Sequence, residues 1–473
     1  MMNYKKLIPG LFLCTISIYS FGQKKSVEKR LDSLFNALAA QNQFSGSVLI
    51  AEQGKVLYKA GKGYRNELTK APNNPRTVFE LASCSKQFVG AGIALLHREG
   101  KINYTDDITR YLPELSNFRG VSIYDLLRHT SGIPEYLDGF REDWKQDKIA
   151  TNTDLIHYYA QRKDTLEFAP NAKHAYCNTN YAFLATIIER ASGQDLDRYL
   201  SDRIFKPLKM DRTFIYNRRL APRDLKNYAY GYVWIKNSFE KATEDDNRVG
   251  EMMSYYMDGI VGNAKVNSTV EDMYKWINAL KSNQLLSPEE FNEIMTISRT
   301  GNNKAVNYGF GFEVRKKDGK LSSYGHTGSW DGYIALSHYS VGNDRTIIIL
   351  NNFDKGICPY EEITGILDHK PLADPAPQKI NLPEAALRQF EGEYVDPGDT
   401  SVKHLISYLD HHLIYNTDKI NWDMRFFPTS GNTFQAIRQG GADGVLKFTR
   451  QSDGTIRLAM TQYGEKIGEG IRK

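Results

Sequence analysis

The chain has 473 residues, more than one ordinary hydrophobic core accommodates, so two domains are expected. Hydrophobic residues make up 41% and charged residues 25%, which reads as soluble and globular. The formal net charge is +5, two of it from Lys5 and Lys6 at the very start, too little to argue for a nucleic-acid partner.

Residues 1–22 read as an export signal. Lys5 and Lys6 form a basic start, and Leu7 to Tyr19 is apolar but too short, and too interrupted by Pro9 and Gly10, for a membrane span. Ser20-Phe21-Gly22 sets small residues three and one before a cut ahead of Gln23. The mature chain is then expected in a bacterial periplasm or outside the cell, with no stable membrane span. It keeps only Cys84, Cys177 and Cys358, too few for a disulfide framework, and shows no zinc-type spacing. Neither a metal nor another cofactor is expected.

Val27, Leu31, Leu34, Phe35 and Leu38 recur at helical spacing and define an amphipathic first helix. Phe44 to Ala51 and Val56 to Tyr64 flank Gln53-Gly54, the pattern of a β-hairpin. A helix is expected from about Ser83 to a stop near Gly100. A shorter one at Asp125-Leu126-Leu127 ends in the turn His129 to Pro134. Tyr181 to Ala191 is an apolar helix closed by Gly193. Ser268 and Glu271 read as a capping box ahead of Met273, Trp276 and Leu280. Strands are expected at Gly309–Val314, Tyr333–Tyr339 and Thr346–Asn351, then a closing helix at Ile363 to Leu367. Helices in the middle with strands at both ends imply an α+β domain over 23–370. One antiparallel sheet is assembled from both ends and flanked by helices, with an all-helical subdomain.

Pro371, Pro375, Pro377 and Pro383 mark 371–383 as a stiff linker. From 384 to 473 short strand candidates recur at Tyr394, Leu405–Tyr408, Leu413–Tyr415, Arg425–Phe427, Thr433–Ile437, Val445–Thr449 and Ile456–Met460. Turns such as Ser452-Asp453-Gly454 separate them, which argues for a small all-β barrel or sandwich. Trp422 and Phe426 are expected as exposed aromatics through which this tail covers a cleft or joins copies of the chain.

Three stretches carry chemistry. In Ser83-Cys84-Ser85-Lys86, residues three apart at a helix start share a face, so Lys86 reaches the Ser83 hydroxyl. Burial lowers a lysine's pKa and leaves a neutral amine to accept that proton, and the helix N-terminus favours an attacking alkoxide. In Tyr176-Cys177-Asn178, a phenol beside the lysine passes protons and Asn178 holds a substrate amide. In His326-Thr327-Gly328-Ser329, Gly328 leaves room for a substrate beside a strand and Thr327 offers a hydroxyl to a carboxylate. The backbone N–H of Ser329, with that of Ser83, makes an oxyanion hole. Each short pattern has decoys: Ser26-Val27-Glu28-Lys29, Tyr64-Arg65-Asn66 and Arg299-Thr300-Gly301 fit as well.

Order and context make the set specific. The stretches resemble the Ser-x-x-Lys, Tyr-x-Asn and Lys/His-Thr-Gly motifs of class C-like enzymes in the serine β-lactamase and penicillin-binding-protein superfamily. Phe79 to Ala82 before the serine and Leu126 to Gly132 before the tyrosine are similar to that family's surroundings. So are Asn178 to Tyr181 and Tyr308 to Phe312, and the likeness covers about Phe44 to Leu367. Leu387 to Tyr394 resembles the opening of the lipocalin-like β-domain that many such enzymes carry.

The resemblance implies that Ser83 attacks a carbonyl, forms an acyl-enzyme and is released by water, with Lys86 and Tyr176 sharing the proton transfers. Asn178, His326, Thr327 and Gly328 bind a small-molecule or peptide substrate. No equivalent of the class A deacylating glutamate stands out, so deacylation is expected to run through Tyr176. Within this superfamily, which includes peptidases of the D-alanyl-D-alanine carboxypeptidase type, histidine in the third motif is similar to several D-amino-acid peptidases and esterase-like relatives. That favours D-amino-acid peptides or carboxylic esters over a true class C-like β-lactamase or a non-catalytic penicillin- or peptide-binding sensor. His326 is expected as a cation supporting Tyr176 and a substrate carboxylate, with a rate dependence between about pH 5 and 8. Cys84 and Cys177 each sit inside a motif, either bridged across the cleft or as two small buried thiols.

Overall fold

The computed structural model describes residues 13–40, 43–144, 147–235, 238–241, 255–330, 332–354, 356, 358–370, 379–409, 411–417, 420–436, 444–462 and 465–472. A six-stranded antiparallel sheet organises the first domain. Its order is Glu313–Lys317 (β3), Lys320–Trp330 (β4), Tyr333–Ser340 (β5), Arg345–Asn351 (β6), Gly46–Glu52 (β1) and Lys55–Lys62 (β2). The N-terminal hairpin thus pairs with the last strand of the domain, Gly46 opposite Asn351 and Glu52 opposite Arg345. Gln53 and Gly54 turn the hairpin with φ of +50° and +72°, the left-handed pair that suits the strands' twist.

Side chains alternate across the sheet, and each face has its own core. Val48, Ile50, Ile347 and Ile349 pack with Leu31 and Phe35 of α1 (Leu13–Ala40) and with Ile363 and Ile366 of a C-terminal helix, Tyr360–Leu367. Leu49, Ala51, Ile348 and Leu350 face the larger core. That core includes Phe88 of α2 (Lys86–Arg98), Phe183 of α3 (Asn178–Ser192) and Trp276 of α4 (Val270–Lys281). Gly193, in the left-handed region at φ +73°, stops α3 as the sequence predicts.

Several boundaries differ from expectation. β3 begins at Glu313 and not at Gly309, because the chain bends through Gly311 (φ +82°) past the start of α2. A β-carbon on Gly311 would lie 2.2 Å from the Lys86 carbonyl oxygen. The cap of α4 is Thr269, which accepts from the Asp272 N–H. Ser268 instead ends the central strand of a small sheet, Val266–Ser268 between Phe79–Glu80 and Phe214–Ile215. β4 carries the third motif and had no strand pattern, since Ser322, Ser323, Gly325 and Gly328 break the apolar alternation.

α1 runs unbroken past the expected cut ahead of Gln23, and residues 1–12 lie outside the described residues. Among the described residues no helix is long and apolar enough to cross a membrane. Of the proline-rich stretch, 371–378 lies outside the described residues. Beyond it eight strands, from Gly392–Val395 to Glu465–Arg472, close into an antiparallel barrel sealed by Val395 opposite Ile471. The closing strand Glu465–Arg472 had not been expected. Phe390, Phe434 and Phe448 cluster with centroids 4.4–5.6 Å apart, and with Leu413, Leu446 and Leu458 they form the barrel's core. Phe426, expected as an exposed aromatic, is 2% exposed within this core. The Trp422 side chain lies outside the described residues.

Candidate active site

Ser83 sits one turn ahead of the α-helix, on the 3-10 turn Ala82–Ser85 that runs into α2. Ala82 holds φ +47°, a left-handed conformation that costs a residue with a β-carbon about 1–2 kcal/mol. Surrounding contacts enforce it. Ser85 Oγ accepts from the Val266 N–H at 3.0 Å, and the Cys84 thiol donates to the His326 carbonyl at 3.1 Å. A β-carbon on Gly328 would lie 2.3 Å from the Leu81 carbonyl oxygen and 3.2 Å from the Ser83 nitrogen. Gly328 therefore makes room for the serine turn itself, where the sequence suggested room for a substrate.

Lys86 is 0% exposed, and its Nζ lies 2.9 Å from each of Ser83 Oγ, Asn178 Oδ1 and the Asn263 carbonyl oxygen. The amide and carbonyl oxygens only accept, so two N–H bonds are committed to them. In the neutral amine the lone pair is then left for the Ser83 O–H. Desolvation brings the lysine from its ordinary 10.5 to about 7, against the opposing pull of Glu135, Cys84 and Cys177. Glu135 also fixes which way the Asn178 amide points. Its Oε2 accepts the Asn178 backbone N–H at 2.7 Å and the Nδ2 at 3.1 Å, which turns Oδ1 towards Lys86. The second Nδ2 hydrogen is not taken up by Glu135.

Tyr176 is 43% exposed and its ring lies beside the amine, with Lys86 Nζ 5.0 Å from the ring centroid. Desolvation raises its phenol above the ordinary value; the Ser83 hydroxyl pulls back, while Glu135, Cys84 and Glu313 push up. At neutral pH Tyr176 is therefore a protonated phenol. His129, with its ring 4.4 Å from that of Tyr176, accepts the Cys177 N–H on Nδ1 at 3.1 Å and holds the segment in place.

The reading of His326 as a cation is corrected. Its Nδ1 meets the Thr327 carbonyl, which can only accept, so that nitrogen carries the proton. Its Nε2 accepts from the Tyr308 hydroxyl at 2.8 Å. Burial, with Lys86 nearby, holds it at about 3, so the ring is neutral across the physiological range. It lies 6.2 Å from the Tyr176 ring between centroids.

β3 begins at Glu313, opposite Gly325, so Thr327 to Trp330 pair with β5 on one side only among the described residues. Thr327 and Ser329 are exposed on the same face of that strand, and Thr327 Oγ1 donates to Glu313 Oε1 at 3.3 Å. Cys84 and Cys177 are free thiols bonded to the carbonyls of His326 and Ile133, so the bridged alternative is not realised.

Sequence reasoning missed Glu135, Asn263, Tyr308, His129 and Glu313 as parts of the site. Glu135 follows directly on a turn already singled out, and Tyr308 opens a segment already compared. Asn263 gives only a backbone carbonyl, which any residue supplies.

A beta-lactamase family model matches residues 31–360. Penicillin-binding protein 4* of Bacillus subtilis (strain 168) is 36% identical over 348 residues, 73% of this chain and 76% of that protein. An octameric penicillin-binding protein homologue from Pyrococcus abyssi superimposes with a TM-score of 0.62 at 21% identity, over 94% of this chain and 99% of that one. A D-amino acid amidase from Ochrobactrum anthropi SV3 gives a TM-score of 0.57 at 20% identity, over 74% and 99%. At such identity these two likenesses concern the fold. The family match encloses all three motifs and well over half the sequence: the chain belongs to the beta-lactamase family.

Proposed function

We propose that the protein is an exported serine hydrolase that opens an amide or ester bond of a D-amino-acid peptide or a carboxylic ester through an acyl-enzyme on Ser83. The observation that carries this reading is the buried Lys86 amine, 2.9 Å from Ser83 Oγ with its other hydrogen bonds committed elsewhere. Ser83 Oγ attacks the carbonyl carbon and its proton passes to Lys86. The oxyanion settles on the backbone N–H groups of Ser83 and Ser329. As the carbon–nitrogen or carbon–oxygen bond breaks, the Tyr176 phenol protonates the leaving group and regains a proton from Lys86. Water then attacks the ester carbonyl, gives its proton through Tyr176 to Lys86, and Ser83 departs with a proton returned.

Preference for D-configured substrates draws support from the fold shared with a D-amino acid amidase, and from kinship with a penicillin-binding protein. Export draws support from the basic and apolar pattern of residues 1–22. Assembly of copies through the C-terminal barrel draws support from the octameric homologue, whose likeness spans 94% of the chain.

The test is a screen of the purified protein against D-amino-acid peptides and amides, p-nitrophenyl esters and nitrocefin. Turnover of the first two classes that Ser83→Ala lowers about a thousandfold or more is expected. Turnover of nitrocefin alone would make it a β-lactamase, and one-time acylation without release would make it a sensor.

A further inference from the structure

We propose that Glu313 selects the substrate class at the leaving-group side of the site, rejecting substrates whose leaving group carries a free carboxylate in favour of peptide amides and esters. The proposal rests on the reading of Ser83 as the acylated nucleophile. Thr327 is the hydroxyl of the third motif that would receive such a carboxylate, and it already donates to Glu313 Oε1 at 3.3 Å. Register explains how they meet. Glu313 stands opposite Gly325, and opposed residues share a face, so its side chain lies on the face that carries Thr327 and Ser329. It is the first paired residue of β3, so it borders the stretch of β4 that, among the described residues, has no strand on that side.

Among the described residues no cation pairs with this charge. His326 is neutral, and Lys86 is buried with its hydrogen bonds taken. Arg315 shares the face of Glu313 but stands opposite Ser323, on the side away from Thr327. Glu313 makes no ion pair among the described residues. Burial raises both the Tyr176 phenol and the Cys84 thiol, and the nearby Glu313 carboxylate acts on each in the same direction. A carboxylate drawn to Thr327 must displace this bond and sit beside a like charge. Two such charges about 4 Å apart cost about a factor of five even in bulk water, and more in a cleft.

The experiment compares kcat/KM for an N-acyl-D-alanyl-D-alanine bearing a free carboxylate with that for its carboxamide, with a p-nitrophenyl ester and Ser83→Ala as references. The two peptides break the same bond and differ only in the distal charge. The wild type is expected to favour the carboxamide by about tenfold or more, and high salt should shrink that preference. Glu313→Gln should bring the two within about threefold, while Glu313→Asp, which keeps the charge, retains most of the preference. Equal rates in the wild type, a preference for the free acid, or a preference untouched by both Glu313→Gln and salt overturns the assignment while the hydrolase reading stands. The absence of Ser83-dependent turnover on all three substrates overturns both.

Discussion

At Lys86 the chemistry turns on one proton. The amine sits at about 7, while the Tyr176 phenol is held above its ordinary value, so in the proposed mechanism the neutral amine acts as the base at neutral pH. Glu135, His129, His326, Tyr176, Tyr181, Cys84 and Cys177 are the titratable groups around it. Of these His129 and His326 are held neutral by burial. The rate should therefore rise with pH along a single limb, and kcat/KM for any substrate found is expected to reach half its plateau at about pH 7. In His326→Gln that midpoint should stay where it is, even if the rate falls, because the ring does not titrate there. A midpoint that moves or vanishes would return His326 to the role of a working cation. The pairing of Ser83 with Lys86 was legible in the sequence because residues three apart on a helical turn must meet. The link from Glu135 through Asn178 to Lys86 was not, because it joins segments whose approach only the fold decides.

Among the elements, the serine turn and β4 are built as one unit. The turn keeps a strained Ala82 because β4 and the Val266–Ser268 strand leave it no other path. Gly328→Ala tests this directly, since its β-carbon would meet backbone at Leu81 and not a movable side chain end. Either the turn or the strand must shift. Stability should fall by about 1–3 kcal/mol in urea unfolding, as overpacked sites do. Activity should fall about a hundredfold, since a displacement near 1 Å at a reacting group costs that much. Gly342→Ala, where a β-carbon meets nothing within 4 Å, should change neither and serves as the control. The strands of the sheet that alternate or run apolar, β1, β5 and β6, were readable in advance. β4 was not, because the glycines and serines that let it lie against the serine turn are those that erase a strand's pattern.

For the whole molecule, the C-terminal barrel was signalled by the change of composition after Pro371. The sheet's assembly from both ends followed from the order of elements. The barrel's closure needed a last strand, Glu465–Arg472, whose charges and glycines hide it. The buried lysine also leaves its mark on global stability. In the folded chain Lys86 loses its proton at about 7, and in the unfolded chain near its ordinary 10.5. Between those values the unfolded state binds more protons, so this residue's contribution to stability increases as pH rises. Below about pH 7 the penalty of a buried charge is present in full, and above about 10.5 it is gone. Lys86→Met removes the titrating group and fills similar space. It leaves the Asn178 and Asn263 oxygens without a donor, a cost of about 1–3 kcal/mol each that does not depend on pH. The difference in unfolding free energy, wild type minus Lys86→Met, should therefore increase by about 2–4 kcal/mol from pH 7 to pH 10. Titrating groups away from Lys86 are common to both proteins and cancel in that difference, and His129 and His326 beside it stay neutral throughout. Urea unfolding of the pair at pH 7, 8.5 and 10 measures it, and a difference that stays flat would mean that Lys86 keeps an ordinary pKa and cannot serve as the base.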